Sequence, residues 1–165
     1  MNMKRIVRHL LATRWMVNRA FPTGTLVAID RAIKASEAAH RGEIRFAVEG
    51  ALHIEPLLRG QAPRERAIEV FSQLRIWDTE HNNGILIYLL LADRDVEIVA
   101  DRGIHEKVGE QEWEGICRNM EAAFRRADYE GGVVGGIQEV TRHLAEHFPP
   151  IGDDRNELPD KPVVL

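Results

Sequence analysis

The chain has 165 residues, 44% hydrophobic and 29% charged, which is the length of one ordinary domain with enough apolar side chain for a continuous core. With 13 glycines, 7 prolines, one cysteine (Cys117) and no run near the 18 or so consecutive apolar residues of a membrane helix, collagen-like, disulfide-framework and membrane-spanning classes are excluded. The net charge of −4 hides an asymmetry: Lys4, Arg5, Arg8, Arg14 and Arg19 all precede the first acid, Asp30, which leaves residues 21–165 with 17 basic against 26 acidic groups, a body of −9 that disfavours nucleic acid as a partner.

Met3, Ile6, Val7, Leu10, Leu11 and Val17 recur near helical spacing among the five basic residues, so residues 1–21 read as a basic amphipathic helix ending at Phe21-Pro22. Its apolar stripe suits packing on the domain or lying on an anionic membrane surface. No uninterrupted apolar segment or small-residue cleavage site follows Leu10-Leu11, so the mature protein is expected to begin at Met1 and to be cytoplasmic, peripheral at the inner face of the membrane if the arm binds lipid. A second helix, capped by Thr23 or Thr25, carries Leu26, Ile29, Ile33 and Ser36 on its inner face and stops at Gly42.

From Gly42 to Glu49, Ile44, Phe46 and Val48 alternate with Glu43, Arg45 and Glu49, a strand with one buried face. Pro63 then starts a helix with Ala67, Val70, Phe71 and Leu74 on one stripe. Ile85 to Ala92 is apolar almost throughout and reads as a central strand buried on both faces; the short link at Asp93-Arg94 makes Val96 to Asp101 its antiparallel neighbour. Two further helices follow, with stripes Trp113 to Ala127 and Val133 to Phe148, and the proline-rich residues 149–165 read as an extended tail. The predicted domain spans 22–148 and is a three-layer α/β/α sandwich around a mixed sheet.

The hairpin places the start of the central strand beside the end of its neighbour, so Asn82, Asn83 and Gly84 should meet Asp101, Arg102 and Gly103. Loops bring Asp78, Glu80 and Glu110 within reach. Such oxygen donors suit calcium or magnesium rather than zinc; equally, the asparagines suit a helix-to-strand turn beside solvated acids. His143 and His147, at i and i+4, lack the glutamate of a zinc-protease motif and a third ligand. The glycines from Gly131 to Gly136 have no preceding strand or Walker lysine, and Cys117 lies on an apolar stripe as a buried thiol.

A helix carrying Phe71 before Trp77, Asn82-Asn83-Gly84 leading into an aliphatic strand, a hairpin, the turn at Gly103-Ile104 and the pair Asp128-Tyr129 together resemble the TPM domain family, also called TPM phosphatase-like, with Glu37 and Gly42 matching its first helix and strand. The WDTEHNNG and NELPDKPV segments are similar to a short bacterial subgroup without a signal peptide. The resemblance implies divalent-cation binding, weak phosphoester hydrolysis as in a plant relative, no organic cofactor, and a membrane-protein neighbour of the LemA family; the alternative is a non-catalytic interaction or membrane-associated adaptor module. Many members have aspartate where Asn82 stands, and Asp101 supplies an anionic group nearby instead. Asn82, Asn83, Asp101, Glu110 and Asp78 are therefore the expected metal ligands.

Overall fold

The structure is a computed structural model and describes residues 2–152 and 155–165, so Met1 of the expected arm and residues 153 and 154 of the expected tail lie outside the described residues. In chain order the elements are α1 (Met3–Leu11), α2 (Arg14–Ala20), α3 (Thr23–Ser36), β1 (Glu43–Glu49), α4 (Ile54–Leu58), α5 (Pro63–Gln73), β2 (Gly84–Leu90), β3 (Asp95–Ala100), α6 (Arg102–Val108), α7 (Glu110–Arg125), α8 (Tyr129–His147) and β4 (Val163–Val164). The sheet order is β3-β2-β1-β4, with β2 parallel to β1 and antiparallel to β3. This is the expected three-layer α/β/α sandwich with the expected hairpin.

Alternation along the strands divides the core in two. Ile44, Phe46 and Val48 of β1 stand beside Ile85, Ile87 and Leu89 of β2 under α3, α7 and α8, and Val17 and Phe21 join this layer. Ala47, Leu86, Tyr88, Leu90 and Val99 point the other way, against Leu57 of α4 and Ala67, Val70 and Phe71 of α5.

Three elements depart from expectation. The arm is two helices rather than one, broken at Ala12-Thr13, where Ala12 takes an extended conformation and its N–H closes on Arg8 and His9. β1 is buried on both faces: Glu43, Arg45 and Glu49 are all inside, each matched by a distant partner. The tail supplies those partners in part. β4 pairs with β1 in parallel, Leu165 N donates to Val48 O at 2.9 Å, Glu157 N and Leu158 N donate to the Glu43 carboxylate at 2.8 and 3.3 Å, and the Arg45 guanidinium donates to Pro159 O. The tail therefore covers an edge of the sheet of its own domain.

Candidate functional site

The end of the sheet at which β2 begins and β3 finishes is held by close backbone approach. Asp101 N donates to Gly84 O at 2.9 Å, continuing the β2–β3 ladder one step beyond Ala100. A Cβ on Gly84 would lie 2.1 Å from the Ile76 carbonyl oxygen, and one on Gly103 would lie 2.6 Å from the carbonyl oxygens of both His81 and Asn82, so a side chain at either position would force backbone to shift. Asn82 itself takes a left-handed conformation (φ 52°), which asparagine tolerates, and turns the chain into β2.

Asp101 caps α6: its Oδ1 accepts from Arg102 N at 2.7 Å. Its Oδ2 is buried and, among the described residues, has no hydrogen-bond partner. Asn83 is fully buried and tied to the start of β1, with Nδ2 donating to Arg41 O at 3.0 Å and the backbone carbonyl accepting from Glu43 N. Its Oδ1 is likewise buried without a partner. Burial of such oxygens costs free energy unless something satisfies them. The His81 and Asn82 carbonyl oxygens thus pack on Gly103 in the first turn of α6, whose N-cap, Asp101, carries an unpartnered Oδ2, while Asn83, next along the chain from Asn82, carries another unpartnered oxygen.

The other expected ligands go elsewhere. Asp78 forms an exposed pair with Arg75 at 2.7 Å, and Glu80 is exposed, its N–H donating to Glu157. Glu110 opens α7 and lines a groove of about 320 Å³ along β3 with Asp95, Glu97, Glu121, Trp113 and Cys117. That groove covers the free edge of the sheet: Glu121 accepts from Val96 N at 3.2 Å, and Arg64 donates to Ile98 O. Burial, reinforced by the neighbouring glutamates, pushes Asp95 up to about 7, and burial pushes the Cys117 thiol up to about 12, so it is no nucleophile. His143 is buried edge-on to Trp113, with Nε2 3.7 Å from Glu112, and burial lowers its pKa. Among the described residues no three His, Cys, Asp or Glu side chains converge as metal ligands.

Sequence reasoning named the residues that meet here through the hairpin, but missed the carbonyl of His81, because a backbone oxygen leaves no mark in residue type. The Asn82-Asn83-Gly84 run, of residue types that suit a left-handed turn, is the nearest signal.

Residues 19–143 match the model of the TPM domain. The fold is similar to the NMR structure of BA42 protein from the psychrophilic bacterium Bizionia argentinensis, at 30% identity over 87% of this chain and 94% of that one, with a TM-score of 0.75. It is also similar to the solution structure of the N-terminal domain of a P. gingivalis protein, at 22% identity over 74% of this chain and 76% of that one, with a TM-score of 0.56. No curated protein matches the chain. No helix among the described residues is long and apolar enough to cross a membrane.

Proposed function

This chain belongs to the TPM domain family, and from that premise we propose that it is a divalent-cation-binding module whose site is the turn at Gly103. The observation that carries the reading is the buried, unpartnered Oδ2 of Asp101 at the N-cap of α6, two residues before Gly103, on which the carbonyls of His81 and Asn82 pack. The donors fit a hard cation, being oxygens only, with one of them anionic. A set rich in carbonyls and poor in carboxylates favours calcium, which accepts irregular shells completed by water, over magnesium, which demands a near-octahedral one. With one carboxylate, affinity belongs in the range of roughly 10⁻⁴ to 10⁻³ M.

A bound cation supplies charge to polarise a phosphoryl oxygen and to acidify water. The chain's own contribution to phosphoester hydrolysis would then be to place Asp101 and the two carbonyls, with water as the nucleophile and slow turnover as the expectation.

Calorimetry with calcium and magnesium chloride tests binding. Asp101→Asn keeps an N-cap oxygen for α6 while replacing the second oxygen by an amide, so it should abolish the heat of binding and leave the fold intact. Unchanged affinity in that variant, or no heat at millimolar calcium, would overturn the reading. Hydrolysis of p-nitrophenyl phosphate with and without calcium tests the second half separately.

A further inference from the structure

Helix α1 is docked with its basic side inward. Arg5 Nε and Nη2 lie 2.9 and 2.8 Å from Asp93 Oδ2, while Arg8 Nη2 and His9 Nε2 lie 3.2 and 3.1 Å from Oδ1. Arg5 also donates to Gln61 O at 2.8 Å, and His9 Nδ1 accepts from Leu52 N at 3.0 Å. Within α1, Ile6 is the apolar residue that packs on the core. Met3, Val7, Leu10 and Leu11, at i, i+4, i+7 and i+8, share the outer face and are 47 to 67% exposed.

Other exposed apolar side chains occur on α2 and α4. The segment that α1 grips, between Leu52 and Gln61, contains α4, whose Ile54 and Leu58 are exposed. In α2, Trp15 is 64% exposed with the Arg19 guanidinium 5.2 Å over its ring, and Met16 is exposed beside it. Lys4, Arg14 and Arg19 are exposed and, among the described residues, form no salt bridge. No acid occurs before Asp30.

We propose that the outer face of α1, with the exposed side chains of α2 and α4, is a docking surface for an anionic lipid bilayer, on which α1 lies in the plane of the interface. Free cations beside aliphatic side chains and a tryptophan are the composition of a surface-lying helix. Charge also disfavours a second copy related by a two-fold axis, which would bring Lys4, Arg14 and Arg19 against their own equivalents. Residues 21–165 carry a net −9, so an anionic bilayer favours approach by the basic arm. Asp93 therefore has a further consequence: by engaging Arg5, Arg8 and His9 it holds the apolar stripe outward.

The test is co-sedimentation of the full chain with phosphatidylcholine vesicles, with and without phosphatidylglycerol, at low salt and in chelator, which separates it from cation binding at Gly103. The protein should pellet with the anionic vesicles and be released as salt rises. Leu10→Glu with Leu11→Glu, both exposed positions, should weaken binding by about tenfold or more with circular dichroism and Tm unchanged. Lys4→Ser and Arg14→Ser should each weaken it by about fivefold. Wild-type protein remaining in the supernatant, or equal pelleting of the Leu10/Leu11 double variant, would refute the proposal. So would a dimer seen by light scattering that the double variant abolishes, since the face would then belong to a second copy.

Discussion

The Tyr88 hydroxyl donates to Glu49 Oε2 at 2.6 Å in the interior of the sandwich, on a carboxylate that Arg66 also holds through Nε at 2.8 Å and Nη2 at 3.1 Å. Burial, and then the adjacent carboxylate, push the tyrosine pKa up, whereas the Glu49 hydrogen bond raises that of Arg66. A buried charge stays charged only while its partners remain. Tyr88→Phe removes one of three hydrogen bonds and should cost about 1.5 kcal/mol. Arg66→Leu strips Glu49 of its counter-charge and should cost about 3 kcal/mol or more. Urea denaturation at neutral pH should give that order; a smaller loss for Arg66→Leu than for Tyr88→Phe would mean that the carboxylate is not sustained by the guanidinium.

Glu43 makes the strap formed by the tail pH-sensitive. Burial pushes its pKa up to about 7 in spite of the two backbone N–H groups of Glu157 and Leu158. Glu37, where Asn156 also docks, is pushed up to about 7 by burial and by Asp160. A carboxyl whose folded pKa is above its unfolded value stabilises the fold when protonated, so the contribution is present below about 4.5 and is lost as pH rises to about 7. For Glu43 it amounts to about 2 kcal/mol after screening. Glu43→Gln, whose amide oxygen keeps one of the two tail hydrogen bonds while its NH2 faces the other backbone N–H, should flatten the stability profile between about pH 5 and 7, as read by Tm. A profile identical to wild type would show that Glu43 does not titrate there.

Asp93 behaves in the opposite sense. Burial raises its pKa, but the hydrogen bonds of Arg5 and His9 outweigh burial and hold it below the usual carboxylate range. Its contribution is therefore present above the unfolded value and is lost only as pH falls through the lowered folded one, so the arm stays docked in mild acid. Asp93→Asn should cost about 2 kcal/mol locally, by leaving the largely buried Arg5 guanidinium without its counter-charge. Limited proteolysis checks this: cleavage within residues 3–12 should rise sharply, while cleavage in the strands does not.

Legibility in the sequence followed the range of the interactions. The unbroken apolar run of β2 and the short link to β3 announced the hairpin, and the hairpin alone brought Asn82 and Asn83 to Asp101. β1 was misread as half-exposed because the groups that satisfy Glu43, Arg45 and Glu49 come from Glu157, Pro159, Arg66 and Tyr88, at separations no local period records. The arm followed the rule that an apolar stripe faces the core at Ile6 and Val17; the contacts of Arg5, Arg8 and His9 to Asp93 overrode it along the rest of α1. β4, with two residues, has no periodicity to detect, and α4 and α6, with five and seven, are nearly as short.

Gly103 is the position at which fold and cation site can be separated. It lies in the first turn of α6, where alanine is the better helix former by roughly 1 kcal/mol. Its added methyl, however, would stand 2.6 Å from two carbonyl oxygens of the 81–82 turn, so that turn must move away while the hydrogen bond from Asp101 N to Gly84 O stays with the sheet. Gly103→Ala should therefore leave the chain folded, with Tm lowered by a few degrees as the lost packing outweighs the helix gain. Calcium binding, which needs the carbonyls of His81 and Asn82 beside Asp101, should fall by about tenfold or more. Gly84→Ala is the contrast, because Gly84 is itself a ladder residue whose methyl would meet the Ile76 carbonyl at 2.1 Å, and it should fail to fold stably. If Gly103→Ala bound calcium as tightly as wild type in calorimetry, the two carbonyls would not be ligands and the ion would sit away from this turn.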